Sequence, residues 1–342
     1  MQAYVLERPA PIESRPLELV EIDLPELNPG QVLVQISACG LCRTDLHVCE
    51  GDLEPRLPKV IPGHQIVGHV ARIGDDVTDF RKGERVGIAW LHQTCGTCSY
   101  CLGGNENLCD DADFTGWTVN GGFAGYAIAS GEFLYRLPED LSDTQAAPLL
   151  CAGIIGFRAL NLTGLPSELH SGKIDWTGAR LGIYGFGAAG HISIQLALAR
   201  GAEVYVATRD RKTHQSLAEE LGAVWVGDTF VKPPVKLDAA IIFAPAGEIV
   251  PAALKALDKA GCLVLGGIHM SPIPEFEYKL LYGERVIRSV TNNTRTDGQE
   301  FLQEAARAKI RTHTETFHFE ELAEALIALK HDAIRGAAVV SI

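Results

Sequence analysis

The sequence lacks any long uninterrupted apolar run. No stretch approaches the roughly 18 apolar residues that a membrane-spanning helix needs, and the opening segment, MQAYVLERPAP, lacks the cationic start and apolar core of a secretory signal. Basic residues are also few: 30 Lys and Arg stand against 43 Asp and Glu, for a formal net charge of −13. Because affinity for nucleic acids and anionic membranes comes mainly from Lys and Arg, we expect neither partner. A cytoplasmic protein that acts on a small molecule is the better prediction.

The chain does contain nine cysteines. A cytoplasmic location argues against disulfides, because that compartment keeps thiols reduced. Metal binding or catalysis is therefore the first hypothesis for these residues. The chain has 342 residues, of which 46% are hydrophobic and 21% charged, which is ordinary for a globular protein of two domains.

Two kinds of pattern divide the chain. Residues 1–151 contain short extended segments broken by Gly and Pro, such as QVLVQISAC and GERVGIAW, which are typical of an irregular β domain. Over residues 152–288 strand-like and helix-like segments alternate, which predicts a doubly wound domain with a parallel sheet. Residues 289–342 predict two helices and a strand, and the pattern alone does not say which domain they join.

Two details of the second domain follow from the pattern. The segment AAGHISIQLALARG predicts a helix with Ile192, Leu196 and Ala199 on one apolar stripe. The hydrophilic insert at residues 166–178 predicts a surface loop before the first strand of that domain.

A four-cysteine motif, CGTCSYCLGGNENLC, has the spacing C-x2-C-x2-C-x7-C. Its cysteines are Cys95, Cys98, Cys101 and Cys109. Two-residue gaps let successive thiolates converge on one metal, and a later fourth thiolate closes a tetrahedron. We expect a structural zinc in a lobe of about residues 92–112. Because four thiolates leave no open position, this zinc would hold a loop and do no chemistry.

A second group of chemical side chains is weaker evidence by itself. The segment CGLCRTDLHVCEGD offers Cys42, Thr44, Asp45 and His47, which taken alone favour a polar loop with an incidental thiol. Two later loops add His64 and Cys151. One imidazole and two thiols would leave a zinc with an open fourth position for water or substrate, which is the arrangement of a catalytic site.

The segment YGFGAAGHI contains the pattern G-x-G-x-x-G, formed by Gly185, Gly187 and Gly190, with Ala188 and Ala189 between the last two. It follows a predicted strand and opens a predicted helix, which is the context that dinucleotide binding requires. The first glycine allows the turn, the second lets the backbone approach a pyrophosphate, and the third allows close helix packing.

The end of the next predicted strand bears on the choice of nucleotide. NAD-binding domains usually place an acidic residue there, whereas this strand ends in Thr208 and Arg209. A hydroxyl followed by a guanidinium suits a 2′-phosphate. We therefore expect NADPH rather than NADH, although a small shift of the strand end would bring the Asp210 carboxylate to the ribose.

In their order along the chain, GLCRTDLH, PGHQIVGHV, the four-cysteine motif, APLLCAG and GFGAAG resemble the zinc-dependent alcohol dehydrogenases of the medium-chain dehydrogenase/reductase superfamily. The resemblance covers the whole chain. It implies a GroES-like catalytic domain over 1–151 and a Rossmann NAD(P)-binding domain over 152–288, and we expect 289–342 to return to the catalytic domain. It also implies hydride transfer between NAD(P)H and a small alcohol, aldehyde or ketone, two zinc ions per chain, and a homodimer or homotetramer.

The resemblance assigns roles to individual residues. The ligands of the catalytic zinc would be Cys42, His64 and Cys151. Thr44 would relay a proton from the substrate oxygen and His47 would pass it to solvent. Asp45 would orient the histidine ligand, and Arg43 would contact the cofactor pyrophosphate.

Three positions depart from the family pattern. Gln65 stands where many relatives have a glutamate behind the zinc, Ile155 where a threonine often faces the nicotinamide, and Ala337 where an arginine often meets the pyrophosphate. Arg335 could partly compensate for Ala337. His69, five residues after the expected ligand, is predicted to be a structural or surface histidine, because an odd spacing on a strand faces the opposite side.

Alternatives remain at this point. A polyol or sugar dehydrogenase of the same superfamily is less favoured, because such relatives often have a glutamate where Cys151 stands. A catalytically inactive NAD(P)-binding redox sensor is disfavoured by the retained metal-ligand and relay residues. Five side chains could either line a substrate pocket or simply pack: Trp90, Leu91, His92, Phe114 and Trp117.

Overall fold

A computed structural model describes residues 1–165, 169–170 and 173–342. The chain forms two compact units. The first comprises Met1–Cys151, Asn292–Gln303 and Arg311–Ile342, and the second comprises Ala152–Thr291 and Glu304–Ile310. No helix among the described residues is long and apolar enough to cross a membrane. All nine cysteines are free.

The strands of the described residues are, in chain order, β1 Gln2–Leu6, β2 Leu17–Glu21, β3 Gln31–Leu41, β4 Gln65–Ile73, β5 Arg85–Ile88, β6 Leu91–Gln93, β7 Asp113–Phe114, β8 Tyr126–Ser130, β9 Leu134–Arg136, β10 Leu169–His170, β11 Lys173–Ile174, β12 Arg180–Tyr184, β13 Glu203–Ala207, β14 Trp225–Gly227, β15 Leu237–Ile242, β16 Leu257–Leu265, β17 Val286–Ser289, β18 Thr314–His318 and β19 Ala337–Ser341.

The α-helices are α1 Arg43–Glu50, α2 Ser99–Leu102, α3 Asp143–Ala146, α4 Ala152–Asn161, α5 Ala188–Ala199, α6 Ser216–Glu220, α7 Ile249–Ala256, α8 Arg295–Ala308 and α9 Leu322–Lys330. A π-helical turn, Arg211–Gln215, precedes α6. The 3-10 turns are Ile12–Ser14, Glu106–Leu108, Gly131–Phe133, Ala147–Leu150, Tyr278–Leu280 and Phe319–Glu321.

The first unit is built around a sheet with the order β18-β19-β3-β4-β5-β9, and β8 also pairs with β3. The long strand β3 pairs antiparallel with β4, and its apolar side chains, including Val34 and Ile36, enter a core with Ile66 and Phe123. Strand β19 pairs antiparallel with the end of β3. The last residues of the chain therefore complete the sheet of the first unit.

The second unit contains a six-stranded parallel sheet with the order β14-β13-β12-β15-β16-β17. Its four central strands, β13, β12, β15 and β16, are rich in buried Val, Ile, Leu and Ala, which is expected for the interior of a parallel sheet. Strands and helices alternate in order along the chain, as the sequence pattern predicted. The strand order reverses beside β12, which is where dinucleotide-binding sheets bind their ligand.

Three local expectations differ from the structure. Helix α5 does not have a single apolar stripe: Ile192 and Leu196 share one buried face, but Ile194 on the opposite face is also buried, and Ala199 is exposed. The segment IVPAALKALDKAG predicts a helix that continues to Gly261, whereas α7 ends at Ala256 and β16 begins at Leu257. The expected loop at residues 166–178 lies partly outside the described residues, and its described part contains the antiparallel pair β10 and β11.

Candidate functional site

A cluster of metal-ligating atoms gathers three residues from three loops of the first unit: Cys42, His64 and Cys151. Cys42 directly follows β3 and caps α1, and its Sγ accepts the backbone N–H of Thr44 at 3.3 Å. His64 directly precedes β4, and Cys151 directly precedes α4. The two sulfur atoms and a ring nitrogen all lie within 4.8 Å of one another. The fold thus brings one imidazole and two thiols to one point.

Asp45 holds this cluster at two points. Its Oδ1 lies 2.9 Å from Nδ1 of His64, and its Oδ2 accepts the backbone N–H of Cys42 at 2.8 Å. Asp45 and His64 are each only 1% exposed. Because Nδ1 faces the carboxylate, Nε2 faces the Cys42 Sγ, 3.2 Å away. This is the arrangement in which an outer carboxylate orients a histidine ligand.

The cluster stabilises charge in spite of its burial. Burial works against the charged imidazole, but Asp45 and Cys42 raise the pKa of His64 well above its usual value. The hydrogen bond between the two thiols lowers the pKa of Cys42 well below its usual range and raises that of Cys151. Two sulfurs and an imidazole converging in a buried site are a donor set that zinc prefers. The residues present therefore fit a zinc ion.

A line of polar side chains runs along α1 from this cluster. Thr44 is 8% exposed, and His47 lies one turn further along the same face. Nδ1 of His47 is 2.8 Å from Oδ2 of Asp52, whose side chain is 48% exposed. Asp52 is absent from our sequence-based predictions; the only available signal was a carboxylate five residues after the histidine.

Gln65 is buried next to the histidine ligand in the chain. It lies opposite Gly40 in the β3–β4 pair and is 1% exposed. A Cβ on Gly40 would stand 3.1 Å from the Gln65 Cδ, so the glycine leaves room for the amide. Within the described part of the chain, the Gln65 Oε1 has no hydrogen-bond partner. Gln65 therefore contributes an unused acceptor and no negative charge.

Aromatic rings form a wall beside the cluster. The Trp90 ring contacts His64 edge-on, with ring centroids 5.1 Å apart. Trp90 also stacks on Phe114 at 5.2 Å and on Trp117 at 6.0 Å. The other two candidate pocket residues are both buried, namely Leu91 and His92.

The four cysteines of the predicted lobe also converge, with all their Sγ atoms within 4.8 Å of one another. The Sγ atoms of Cys98 and Cys101 are 3.5 Å apart, as are those of Cys95 and Cys109. Backbone N–H groups of Thr97 and Cys98 lower the pKa of Cys95 to about 6. Four sulfurs at this spacing fit a tetrahedral zinc ion.

This lobe is tied to α8 by an ion pair that we did not predict. Glu106 is 7% exposed and accepts hydrogen bonds from the backbone and guanidinium of Arg295 at 2.7–3.0 Å. Burial would raise the pKa of Glu106, but Arg295 holds it below its usual value. The two residues are 189 positions apart, so no local sequence signal could have paired them.

The glycine motif adopts the geometry of a nucleotide-binding turn. Gly185 has φ +87°, and a Cβ there would stand 2.9 Å from the Ala244 nitrogen. A Cβ on Gly190 would stand 2.8 Å from the Gly185 oxygen, so helix and strand pack closely. At Gly187 a Cβ would meet no heavy atom within 4 Å, and α5 has no acidic residue in its first turn. This open turn before a helix N-terminus fits a pyrophosphate.

The residues after β13 have separate environments. Thr208 is 3% exposed, whereas Arg209 and Asp210 are exposed. Asp210 has φ +54°, and its carboxylate accepts the backbone N–H of Thr213 at 2.6 Å. The Asp210 carboxylate is therefore engaged as the cap of the following helical turn.

The remaining predicted residues are spread over the fold. Arg43 opens α1 and forms an ion pair with Asp332. Ile155 is half-buried in α4, and Ala337 is buried at the start of β19. His69 is exposed on β4 and distinct from the metal-ligating cluster, as the odd spacing predicted.

Two family models match the chain. The model described as "Alcohol dehydrogenase GroES-like domain" matches residues 28–139, and the model described as "Zinc-binding dehydrogenase" matches residues 188–307. Together they cover most of both units.

Known proteins are similar over the full length. The chain is 46% identical to "Probable alcohol dehydrogenase AdhA" of Mycobacterium tuberculosis, covering 100% of this chain and 97% of that one. It is 36% identical to an alcohol dehydrogenase of Geobacillus stearothermophilus, covering 100% of both. Among solved structures, a cinnamyl alcohol dehydrogenase of Sorghum bicolor, SbCAD4, superposes with a TM-score of 0.88 at 26% identity, covering 99% of this chain and 97% of that one.

Proposed function

Because the chain belongs to the zinc-dependent alcohol dehydrogenases of the medium-chain dehydrogenase/reductase superfamily, we propose that Cys42, His64 and Cys151 bind a catalytic zinc at which a small alcohol and its aldehyde or ketone are interconverted. One observation carries this proposal: two sulfurs and an imidazole converge within 4.8 Å, with a buried carboxylate behind the imidazole. Three protein ligands leave zinc one position for substrate.

The proposed roles of the other residues follow from their positions. When bound, zinc acts as a Lewis acid toward the substrate oxygen, and the nicotinamide cofactor accepts or returns a hydride. The Thr44 hydroxyl would exchange a proton with the substrate oxygen. His47 would receive that proton and pass it toward the exposed Asp52 carboxylate, 2.8 Å from its ring. Asp45 would keep the His64 ring in one orientation and tautomer.

We also propose a structural zinc at the four-cysteine cluster. The four sulfurs would close the coordination shell, so that this metal stabilises the lobe without reacting.

Free thiols at all nine cysteines support a reducing, cytoplasmic location.

For the second unit we propose dinucleotide binding with a preference for NADPH. The open turn at Gly187 would hold the pyrophosphate at the N-terminus of α5. Arg209 is exposed immediately after Thr208, and Asp210 is engaged in capping through the Thr213 N–H. A guanidinium near the ribose favours a 2′-phosphate, whereas a free carboxylate there would repel one.

The oligomer we propose is a homodimer or homotetramer. Strand β17 is an edge of the six-stranded sheet, and the apolar side chains of Tyr278, Tyr282 and Val286 near it are 73%, 72% and 46% exposed. Contact with a second copy would remove these side chains from water. Sedimentation should give a mass of two or four chains of 36.9 kDa, and Val286→Lys should shift the protein toward smaller species. A monomer at all concentrations would contradict this part of the proposal.

Metal analysis combined with initial rates tests the central proposal. Purified protein should contain about two zinc ions per chain. It should oxidise alcohols with NADP+ and reduce aldehydes and ketones with NADPH, and should do so more slowly with NAD+ and NADH. Cys151→Ser should lose the activity and about one zinc, while Cys49→Ser, a buried thiol outside both clusters, should retain both zinc ions. Protein with full zinc that turns over no substrate in a chain-length series with either cofactor would refute the proposal, and a clear preference for NADH would refute the Arg209 argument.

A further inference from the structure

Arg56 places a positive charge at the outer end of the aromatic wall. Its guanidinium carbon, Cζ, lies 5.5 Å from the centroid of the Trp117 ring, which is within the range of a cation–π contact. Among the residues that the structure describes, the Arg56 side chain has no hydrogen-bond or ion-pair partner. The residue is exposed, so the N–H donors of its guanidinium are open to water or to a ligand.

The segment that carries Arg56, residues 51–60, is held against the Trp117 ring. Nε1 of Trp117 donates a hydrogen bond to the Glu54 carbonyl at 2.9 Å, and Leu53 and Leu57 pack with this ring around a small buried apolar cluster. These contacts fix the backbone on both sides of the arginine.

Two prolines further restrict the backbone around Arg56. Pro55 precedes the arginine and Pro58 follows two residues later. Proline fixes its own φ and restricts the residue before it, so this part of the segment has little conformational freedom to lose when a ligand binds. The guanidinium is therefore presented by a stiff and anchored backbone.

The charges of the segment leave one cation available. Its other cation, Lys59, pairs with Glu7. Neither carboxylate of the segment, Asp52 or Glu54, forms an ion pair with Arg56 in the described chain. A ligand at this position would therefore meet a single unpaired positive charge.

The aromatic wall connects this charge to the metal-ligating cluster. Trp117 is stacked on Trp90 at 6.0 Å, with the ring planes 9° apart, and Trp90 contacts His64 at 5.1 Å. Phe114 lies 5.6 Å from Trp117, and both of these rings are only half-buried. All four residues belong to the first unit, as Arg56 does. A substrate lying along the rings would have its reacting oxygen near the cluster and its far end near the guanidinium.

The chemistry of the guanidinium indicates a class of substrate. Its N–H groups form charge-assisted hydrogen bonds with the oxygens of carboxylates and phosphates. One cation balances a carboxylate, but it would leave a phosphate monoester, with a charge of about −1.5 to −2, incompletely neutralised. We propose that the substrate is an alcohol or aldehyde with a carboxylate at the far end of an apolar body, and that Arg56 sets this specificity. The proposal rests on the catalytic site proposed above.

A series of ω-hydroxy acids and their methyl esters tests the proposal. The members of each pair share the reacting alcohol and the chain, and they differ in the charge at the far end. In wild-type protein we expect the acid-to-ester ratio of kcat/KM to rise with chain length to roughly fivefold, as an exposed charge pair implies. The preference should reside in KM, because the carboxylate is remote from the reacting carbon, and it should weaken at high ionic strength.

Substitutions of Arg56 assign the preference to its charge. Arg56→Gln removes the charge and keeps a polar side chain, so R56Q should bring the acid-to-ester ratio to about one at every chain length. Arg56→Lys keeps the charge and should restore part of the preference. Arg72→Gln, at another exposed arginine of the first unit, should retain the whole preference.

Two results would overturn the role of Arg56. A ratio of one in wild-type protein at all chain lengths would exclude recognition of the carboxylate. An unchanged ratio in R56Q, with or without a common loss of activity, would mean that Arg56 only holds the segment against Trp117. If wild-type protein with full zinc oxidised neither acids nor esters nor simple alcohols, the catalytic site proposed above would fail instead.

Discussion

Asp45 is the residue whose contacts most directly link the loop sequence to the proposed chemistry. Asp45→Asn keeps the shape of the side chain but removes the charge that orients His64. Loss of such an outer partner typically costs about 10- to 100-fold in metal affinity or activity. We therefore expect kcat, zinc affinity or both to fall by that factor, measured by initial rates and by competition with a chelator. Asp52→Asn, at an exposed carboxylate, is the matched control and should keep full zinc affinity; unchanged zinc affinity and kcat in D45N would refute the role of Asp45.

At Gln65 the prediction concerns adding a negative charge beside the metal-ligating cluster, rather than removing one. Its buried Oε1 is an unused acceptor, and an amide is a weaker zinc ligand than a carboxylate. Gln65→Glu adds a negative charge that can approach the metal and assist the exchange of zinc-bound water and substrate. We expect turnover to change more than zinc affinity, compared by kcat and chelator competition on the same preparation. A structure of the wild type with the Gln65 oxygen bound to zinc would contradict this expectation.

The aromatic wall supports a prediction about substrate size. The Trp90 ring lies 5.1 Å from the His64 ring and is stacked on Phe114. Trp90→Ala should open space beside the metal-ligating cluster and shift kcat/KM toward longer or bulkier alcohols, measured across a chain-length series. Truncating the exposed Tyr278 to alanine is the control. An unchanged order of substrates in W90A would show that the ring serves packing alone.

At the scale of elements, the Glu106–Arg295 pair joins the cysteine lobe to α8. Arg295 also contacts Glu132 at 3.0 Å, but the Glu132 side chain is 78% exposed. Glu106→Gln should lower the free energy of unfolding by roughly 1–3 kcal/mol, because it leaves the guanidinium without its buried partner. Glu132→Gln should cost at most about 1 kcal/mol, as exposed pairs do. Chemical denaturation of the two variants measures the difference, and equal costs would refute it.

A second contact between elements predicts sensitivity to acid. Asp143 opens α3 and receives hydrogen bonds from Ser37 of β3 and Arg85 of β5. Burial would raise the pKa of Asp143, but these bonds hold it below its usual value. A lowered pKa contributes stability above the unfolded-state value of about 3.9, and that contribution is lost as the pH falls through the folded-state pKa. In unfolding curves below about pH 4, Asp143→Asn should be less sensitive to pH than wild type, while Asp140→Asn, at an exposed ion pair, should follow wild type.

Over the whole molecule, the two metal clusters should separate stability from catalysis. Cys98→Ser opens a closed four-sulfur shell, so it should lower the melting temperature by several degrees. Cys151→Ser removes a ligand from the three-donor cluster and should reduce kcat by more than the roughly 10- to 100-fold cost of an outer partner, with a smaller change in melting temperature. Thermal unfolding, kcat and zinc content measured on both variants test this separation. If Cys98→Ser mainly lowers kcat and Cys151→Ser mainly lowers the melting temperature, the structural and catalytic roles proposed for the two clusters are reversed.

The sequence by itself determined the fold class and the family. Apolar periodicity reports which face of each strand or helix is buried, and short-range spacing reports which residues share a turn. The three glycines around Phe186, the four cysteines over 15 residues and the His64/His69 distinction were therefore accessible to local reasoning. The same limits explain the error at Ala199: α5 is buried on several sides, so it has no single stripe from which its orientation could be inferred.

Only the tertiary structure decided which distant residues meet. The contact between His47 and Asp52 was not predicted, Gln65 was named without its buried and unpartnered oxygen, and Glu106 and Arg295 are 189 positions apart. Arg56 has no motif around it, and only its contact with the Trp117 ring draws attention to it. Burial and hydrogen bonding depend on how chain segments from separate parts of the sequence pack together. A pattern that repeats over a few residues contains no information about that packing.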